Sequence, residues 1–211
     1  MNIDMHFVLN SDKMRHNYRR YFRLMINIKN LDFSYQEVPV IHAWSSQLDN
    51  GSICHLRGNN GSGKSTLLKL LAGILKPSAG SIESSGDCAY VGHQLGLHQQ
   101  LSVLENLMFG LGAHLSMDWG EHLKQANLLS HQHRLCRELS LGQQHKVAML
   151  GLLAKNTGLW LLDEPFANLD HESEAWLWDL IIHHQSQGGM VVFTAHQRDF
   201  RSQGVVEWQM R

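Results

Sequence analysis

Apolar positions along this chain recur first with a period of two, then with a helical period, and later in two unbroken runs. Ile26 to Phe33 alternates as a half-buried strand does, and Val38 to Leu48 reads as a second strand region with Pro39 marking an edge. Ser52 to Arg57 is a short apolar-leaning strand. From Ser65 onward Leu67, Leu70, Leu71 and Ile74 repeat at helical spacing, and Pro77 marks the stop. Cys88 to Gly92 reads as a strand, Val103 to Leu115 and Glu121 to Leu129 as helices, and a further helix opens at Leu139–Gln143 and runs through Lys155. Leu159 runs apolar up to Asp163, as in a strand buried on both faces. Ser173 to His184 is helical, with Trp176, Leu177, Leu180 and Ile181 as its core stripe, and Met190 to Thr194 is a second buried strand. Strands alternating with helices predict an α/β fold with a mostly parallel sheet flanked by helices.

Composition narrows the classes. The 211 residues suit one domain, or one domain with a small subdomain, and 43 % hydrophobic with 18 % charged residues is an ordinary globular balance. A formal net charge of −1 gives no basic excess to attract nucleic acid. No run approaches the roughly 18–20 apolar residues that span a bilayer, so any membrane role is expected through a partner. Cys54, Cys88 and Cys136 are far apart and odd in number, which indicates neither a disulfide framework nor a zinc site. The 15 histidines are scattered, and His183-His184 has no matching ligand cluster. Residues 1–24 are polar, carry Arg15, Arg19, Arg20 and Arg23, and lack an apolar signal region. They read as an N-terminal extension, disordered or mis-started, with Met25 as the natural start.

Two segments carry chemistry. Gly58-Asn59-Asn60-Gly61-Ser62-Gly63-Lys64-Ser65 follows a strand and opens a helix. Gly61 and Gly63 let successive amides curl inward, and with the helix N-terminus they form an anion nest for β- and γ-phosphates. Lys64 adds a point charge between the phosphates, and Ser65 offers a hydroxyl to Mg²⁺. Asp163 and Glu164 end the apolar strand and point in different directions. Asp163 is assigned to the metal and Glu164 to the attacking water as general base.

In the order Gly58–Thr66, Gln94, Leu139–Gln143, Leu159–Glu164, Ala167-Asn168-Leu169-Asp170 and His196, roughly residues 26–200 resemble the nucleotide-binding domains of ABC transporters. The resemblance implies a P-loop NTPase core with a small antiparallel β part. It implies an ATPase domain over 25–211, with a short helical subdomain at about 95–155. Gln94 is similar to the residue that touches Mg²⁺ or the lytic water and senses the membrane partner, Leu169-Asp170 to the loop that communicates across a dimer, and His196 to the switch histidine on the γ-phosphate. Tyr35 is similar to the aromatic that stacks on adenine; a packing tyrosine at a strand end is the alternative. Ser140, Gly142 and Gln143 belong to the signature loop. Ser140 can donate a hydroxyl, Gly142 leaves an amide open, and the following helix directs its positive end at an anion. This loop is expected to close on the ATP held by a second copy of the chain. Leu141 stands where the family usually has glycine.

Tyr90-Val91-Gly92-His93-Gln94, Leu104-Glu105-Asn106-Leu107, the doubled glutamine Gln143-Gln144, Trp160 to Phe166 and Thr194-Ala195-His196-Gln197 resemble one branch, the ATP-binding subunits of cytochrome c maturation (haem exporter) complexes. The branch implies integral-membrane permease subunits, CcmB-like and CcmC-like, as partners, and a peripheral place on the cytoplasmic face of the inner membrane. Haem itself is not expected to bind, because nothing pairs the histidines with a buried apolar pocket. An ABC ATPase for another cargo, and more remotely a soluble P-loop ATPase or kinase, remain the other readings.

Overall fold

The computed structural model describes residues 25–110, 117–155, 157–195, 200 and 203–210. Five parallel strands form the central sheet: β3 (Ile53–Arg57), β5 (Cys88–Val91), β6 (Leu159–Leu162), β7 (Met190–Thr194) and β8 (Val206–Gln209) lie in the order β5-β6-β7-β3-β8. A smaller antiparallel sheet joins β2 (Val38–Leu48), β1 (Ile26–Tyr35) and β4 (Ala79–Ser84) in that order. The helices are α1 (Lys64–Leu71), the single turn α2 (Val103–Glu105), α3 (Trp119–Gln125), α4 (Leu141–Lys155) and α5 (His171–Ser186).

The pleat of the parallel sheet sorts its side chains between two cores. Cys54, Leu56, Leu159, Leu161, Met190 and Val192 face α1 and the antiparallel sheet. Ile53, Trp160, Leu162, Val191 and Phe193 face the opposite way, into the core built by α4 and α5. All four residues of β6 and all five of β7 are buried, as their unbroken apolar runs predict. Trp176, Leu177, Leu180 and Ile181 are buried on α5 as expected.

Several boundaries differ from the sequence reading, each for a local reason. α1 ends at Leu71, short of Pro77, because Gly73 takes φ 69. The Gly73 amide bonds Leu70 O and the Ile74 amide bonds Lys69 O, the paired bonds of a glycine C-cap. Ile74 therefore falls outside the helix and is 58 % exposed, so it is no part of the core stripe. The regular helix expected from Val103 to Leu115 stops after one turn, and a wider π turn takes over at Asn106–Gly110, with residues 111–116 outside the described region. The fully buried Asn106 accepts from the His98 amide at 2.8 Å and donates to His98 O at 3.0 Å, tying this turn to the preceding loop. α3 starts two residues early, on an Asp118 cap, and ends before Asn127, whose φ of 55 breaks it. β4 and β8 had no sequence signal: β4 exposes nearly every side chain and is held by backbone pairing to β1, and β8 is a four-residue edge strand. Residues 1–24 lie outside the described residues.

His184 is buried against the sheet, its ring 3.8 Å from that of Trp160 and nearly parallel to it, with Nε2 3.3 Å from Gly158 O. Burial lowers its pKa from 6.5 to about 4. The unfolded chain takes up this proton as pH falls through 6.5, whereas the folded chain resists until about 4, so the stability tied to neutral His184 is full above 6.5 and lost between 6.5 and 4. The gap corresponds to about 3 kcal/mol. In His184→Phe the stacking survives, one hydrogen bond worth about 1 kcal/mol is lost, and stability should fall less from pH 7.5 to 4.5 than in the wild type. Denaturant midpoints of both proteins at those two pH values check this; parallel losses would contradict it.

Candidate active site

Parallel strands deliver their following loops to one edge of the sheet, where α/β proteins bind ligands. The loops after β3, β5, β6 and β7 carry, in turn, Gly58–Ser65, Gln94, Asp163-Glu164 and the segment toward His196. His196 itself lies outside the described residues.

The loop after β3 is folded around its own lysine. Lys64 Nζ donates to Gly58 O at 2.8 Å and Asn59 O at 2.9 Å, and the Ser62 amide donates to Asn59 O at 3.1 Å. Gly63 caps α1 with φ 90, and no side chain covers the first amides of the helix. Those amides have no intrahelical partner, so the helix start presents N–H donors and a positive dipole end to an anion. Asn59, Asn60 and Gly61 form the exposed rim, Ser65 is exposed at the helix mouth, and Thr66 is buried beneath it.

The two carboxylates are separated by backbone geometry. The Asp163 amide donates to Val91 O at 2.8 Å, which continues the β5–β6 register past the strand end. Glu164 has φ 54, a left-handed conformation uncommon for a residue with a side chain, so the chain turns sharply between the two acids. Ala167 closes that turn with an amide bond to Glu164 O at 3.0 Å. Thr194, at the end of β7, joins both acids: its hydroxyl donates to Asp163 Oδ1 at 2.9 Å and accepts from the Glu164 amide at 2.8 Å. Thr194 is fully buried and was not singled out from the sequence. A threonine closing an apolar strand next to a site segment is the signal that could have found it. Thr194→Val keeps the shape but strands a buried amide and one carboxylate oxygen, a loss of roughly 1–3 kcal/mol. Its ATPase turnover should fall about tenfold at full folding; turnover equal to wild type in the folded variant would contradict this role.

The Ser140 loop is tied to α4 and not to Lys64. Ser140 Oγ accepts from the Gln143 amide at 3.2 Å while Gln143 Oε1 accepts from the Ser140 amide at 3.0 Å, a reciprocal capping box at the helix start. Gln143 Nε2 also lies 3.3 Å from His131 Nε2, and Gln144 Nε2 donates to Leu139 O at 3.2 Å. The Gln143 amide group is thus engaged within its own chain, a structural role that the motif alone does not reveal. Gly142 sits under the segment after β6: a Cβ there would lie 2.8 Å from Asn168 O. The backbones approach closely here, and the neighbouring Leu141 is 63 % exposed. Among the described residues no hydrogen bond joins residues 139–143 to the Gly58–Ser65 loop. Asp170 caps α5, accepting from the Ser173 amide at 2.8 Å, and this bonding holds its carboxyl below the usual range.

Two predicted contacts stand at the margins. Tyr35 ends β1, 45 % exposed, with its ring edge-on to Phe33 at 4.9 Å. One side of the ring packs on Phe33 and the rest is exposed. Gln94 is exposed in the loop after β5; that loop and Ala148, Gly151 and Leu152 of α4 enclose a cavity of about 150 Å³. Tyr90 lines the same cavity, and burial, with the Asp163 charge as a smaller cause, pushes its hydroxyl up to about 12.

The donor set fits a hard cation: Ser65 Oγ and the Asp163 carboxylate offer oxygen atoms, one oxygen of the latter already oriented by Thr194. The described residues include no cluster of three or more His, Cys, Asp or Glu side chains, so any metal there would be held partly by its ligand.

Residues 41–167 match the family model described as ABC transporter. The chain is 36 % identical to the cytochrome c biogenesis ATP-binding export protein CcmA of Legionella pneumophila (strain Lens), covering 82 % of this chain and 93 % of that one. It is 38 % identical to the CcmA protein of Pseudomonas aeruginosa, over 70 % of this chain and 80 % of that one. Among solved structures, a metal-chelate type ABC transporter in an inward-facing conformation superimposes with a TM-score of 0.72 at 29 % identity, covering 89 % of this chain and 79 % of that one. A family match over more than half of the sequence, relatives above the one-third identity level along most of it, and a shared fold leave one conclusion: the chain belongs to the ABC transporter family, as an ATP-binding, ATP-hydrolysing subunit similar to CcmA proteins.

Proposed function

We propose that this ATPase energises the export step of a cytochrome c maturation (haem exporter) system. The observation that carries the reading is the 36 % identity to CcmA across 93 % of that protein, joined to a site in which the phosphate loop and the paired acids leave one sheet edge. ATP would lie with its β- and γ-phosphates in the amides of Gly58 to Ser65 and with Lys64 between them, its adenine against Tyr35. Ser65, Asp163 and Gln94 would hold Mg²⁺, which neutralises phosphate charge when bound. Glu164 accepts a proton from the attacking water, and His196 contacts the γ-phosphate. Ser140 and Gly142 of a second copy close over the same nucleotide, giving a twofold dimer with two sandwiched ATP molecules. The close approach of Gly142 to Asn168 supports this, because it places the Ser140 loop beside the segment that follows the acids.

Closure and reopening of the dimer would be relayed through the Gln94 loop to integral-membrane permease subunits, CcmB-like and CcmC-like, at the cytoplasmic face of the inner membrane. No helix of the described residues is long and apolar enough to cross a membrane. Haem would be handled by those partners and not by this chain. The likeness to a metal-chelate type transporter favours a second reading, an ABC ATPase serving another cargo. Co-purification from native membranes decides between them. Recovery of CcmB-like and CcmC-like permeases supports the first, and recovery of unrelated permeases sinks it.

A further inference from the structure

Lys64 folds the glycine-rich loop from inside, yet an anion nest works only if its amides are already aimed, which also needs support from outside the loop. Part of that shape comes from the far end of the chain. β8 pairs in parallel with β3, with Gln209 opposite Arg57, and the next residue, Met210, donates its amide to Arg57 O at 2.8 Å. This bond holds the residue directly before Gly58. The Met210 side chain is only 4 % exposed and turns under the loop. A Cβ on Gly58 would lie 2.9 Å from Met210 O, and a Cβ on Gly63 would lie 3.3 Å from Met210 Cε and 2.9 Å from Val40 Cγ1. Met210 thus lies beside both ends of the phosphate loop, sharing the Gly58 end with the Ser62 side chain and the Gly63 end with Val40. Gln209 Nε2 donates to Met210 O at 3.0 Å, and Arg57 pairs with Glu207 at 2.9 Å, which fixes the edge strand that carries it.

We infer that Met210 is a positioning residue of the nucleotide site: through its backbone at Gly58 and its terminal methyl at Gly63 it sets the curvature of the phosphate loop without touching ATP. The inference rests on the reading of Gly58–Ser65 as the ATP loop. Methionine suits the task, because an unbranched thioether fills the irregular gap beside glycines that carry no side chain. Loss of the methyl should let the loop sample shapes in which the amides diverge. The cost then falls on ATP binding and much less on the chemical step, since bound ATP re-forms the loop.

The test uses the purified full-length chain and Mg·ATP, with affinity and turnover measured at a temperature where circular dichroism shows each variant folded. Met210→Ala should raise the Kd for ATP about 5–10-fold and leave kcat at saturating ATP within about twofold. Met210→Leu keeps the burial but lacks the terminal methyl, and should raise Kd about twofold. Met190→Ala removes an equally buried methionine at the start of β7, away from the loop; it should lose thermal stability with Kd unchanged. If Met210→Ala does not fold, Met210→Leu decides alone, by a raised or an unaltered Kd. Wild-type affinity in the folded Met210 variants, or an equal rise in Met190→Ala, overturns the inference. A wild-type chain that does not bind ATP overturns it together with the nucleotide reading, and so separates the two failures.

Discussion

Glu164→Gln should bind ATP with near wild-type affinity and lose hydrolysis by about 10²–10⁴-fold. The substitution keeps the size and shape of the side chain and removes its negative charge, and with it the capacity to take a proton. The structure sharpens the expectation in two ways. First, the Glu164 backbone is held by Thr194 and by its own turn, so the amide side chain should occupy the same space without moving Asp163. Second, Glu164 is the acid turned away from the strand by a left-handed φ of 54, whereas Asp163 is anchored to Thr194 and to Val91. The two acids are therefore not interchangeable. Asp163→Asn should weaken metal-dependent binding, and Glu164→Gln should uncouple binding from turnover. The trapped ATP state of Glu164→Gln should also accumulate as a dimer in size-exclusion chromatography. Phosphate release at the wild-type rate would remove Glu164 from the role of base.

Lys64→Ala is the second large effect, and it falls on affinity. The ammonium group is the only cation in the Gly58–Ser65 segment, and it reaches the loop centre, where two carbonyls face it at 2.8 and 2.9 Å. ATP brings phosphate oxygens to the same group, so the lysine exchanges neutral carbonyl partners for charged ones. Charge-assisted hydrogen bonds are worth about 1.5–3 kcal/mol each, and the loss of one or two weakens ATP binding about 10²-fold. Lys64→Arg should not restore it, because a planar guanidinium fork does not fit where a compact ammonium lies between two carbonyls. Fluorescence titration with a labelled nucleotide reads both variants. Unchanged affinity in Lys64→Ala would contradict the phosphate-loop assignment.

The turn Gly58–Ser65 into α1 and the acid pair closing β6 were legible as local structure, because backbone turns and adjacent side chains are specified by adjacent letters. The buried strands β6 and β7 were legible because nothing but apolar residues fits a strand covered on both faces. β4 was not, because its stability comes from main-chain bonds to β1 and its side chains meet water, so no hydrophobic period is imposed on it. The early end of α1 was legible in principle at Gly73 and was overridden by the helical spacing of Ile74. Gln143 is a subtler case. The spacing from Ser140 to Gln143 is that of a capping box, but the phosphate chemistry of the motif drew attention away from it.

Local sequence by itself determined which residues fill the two faces of the sheet and which segments are candidates for phosphate and proton chemistry, since those properties belong to side-chain type and period. Only the tertiary structure decided which distant groups complete the site. Thr194 meets Asp163 and Glu164 because β7 lies beside β6. Gly142 meets Asn168 because α4 packs on the acidic segment. Met210 meets Gly58 because β8 adds to the sheet beside β3. Sheet order joins residues tens to more than a hundred positions apart, and no pattern within either segment records its neighbour.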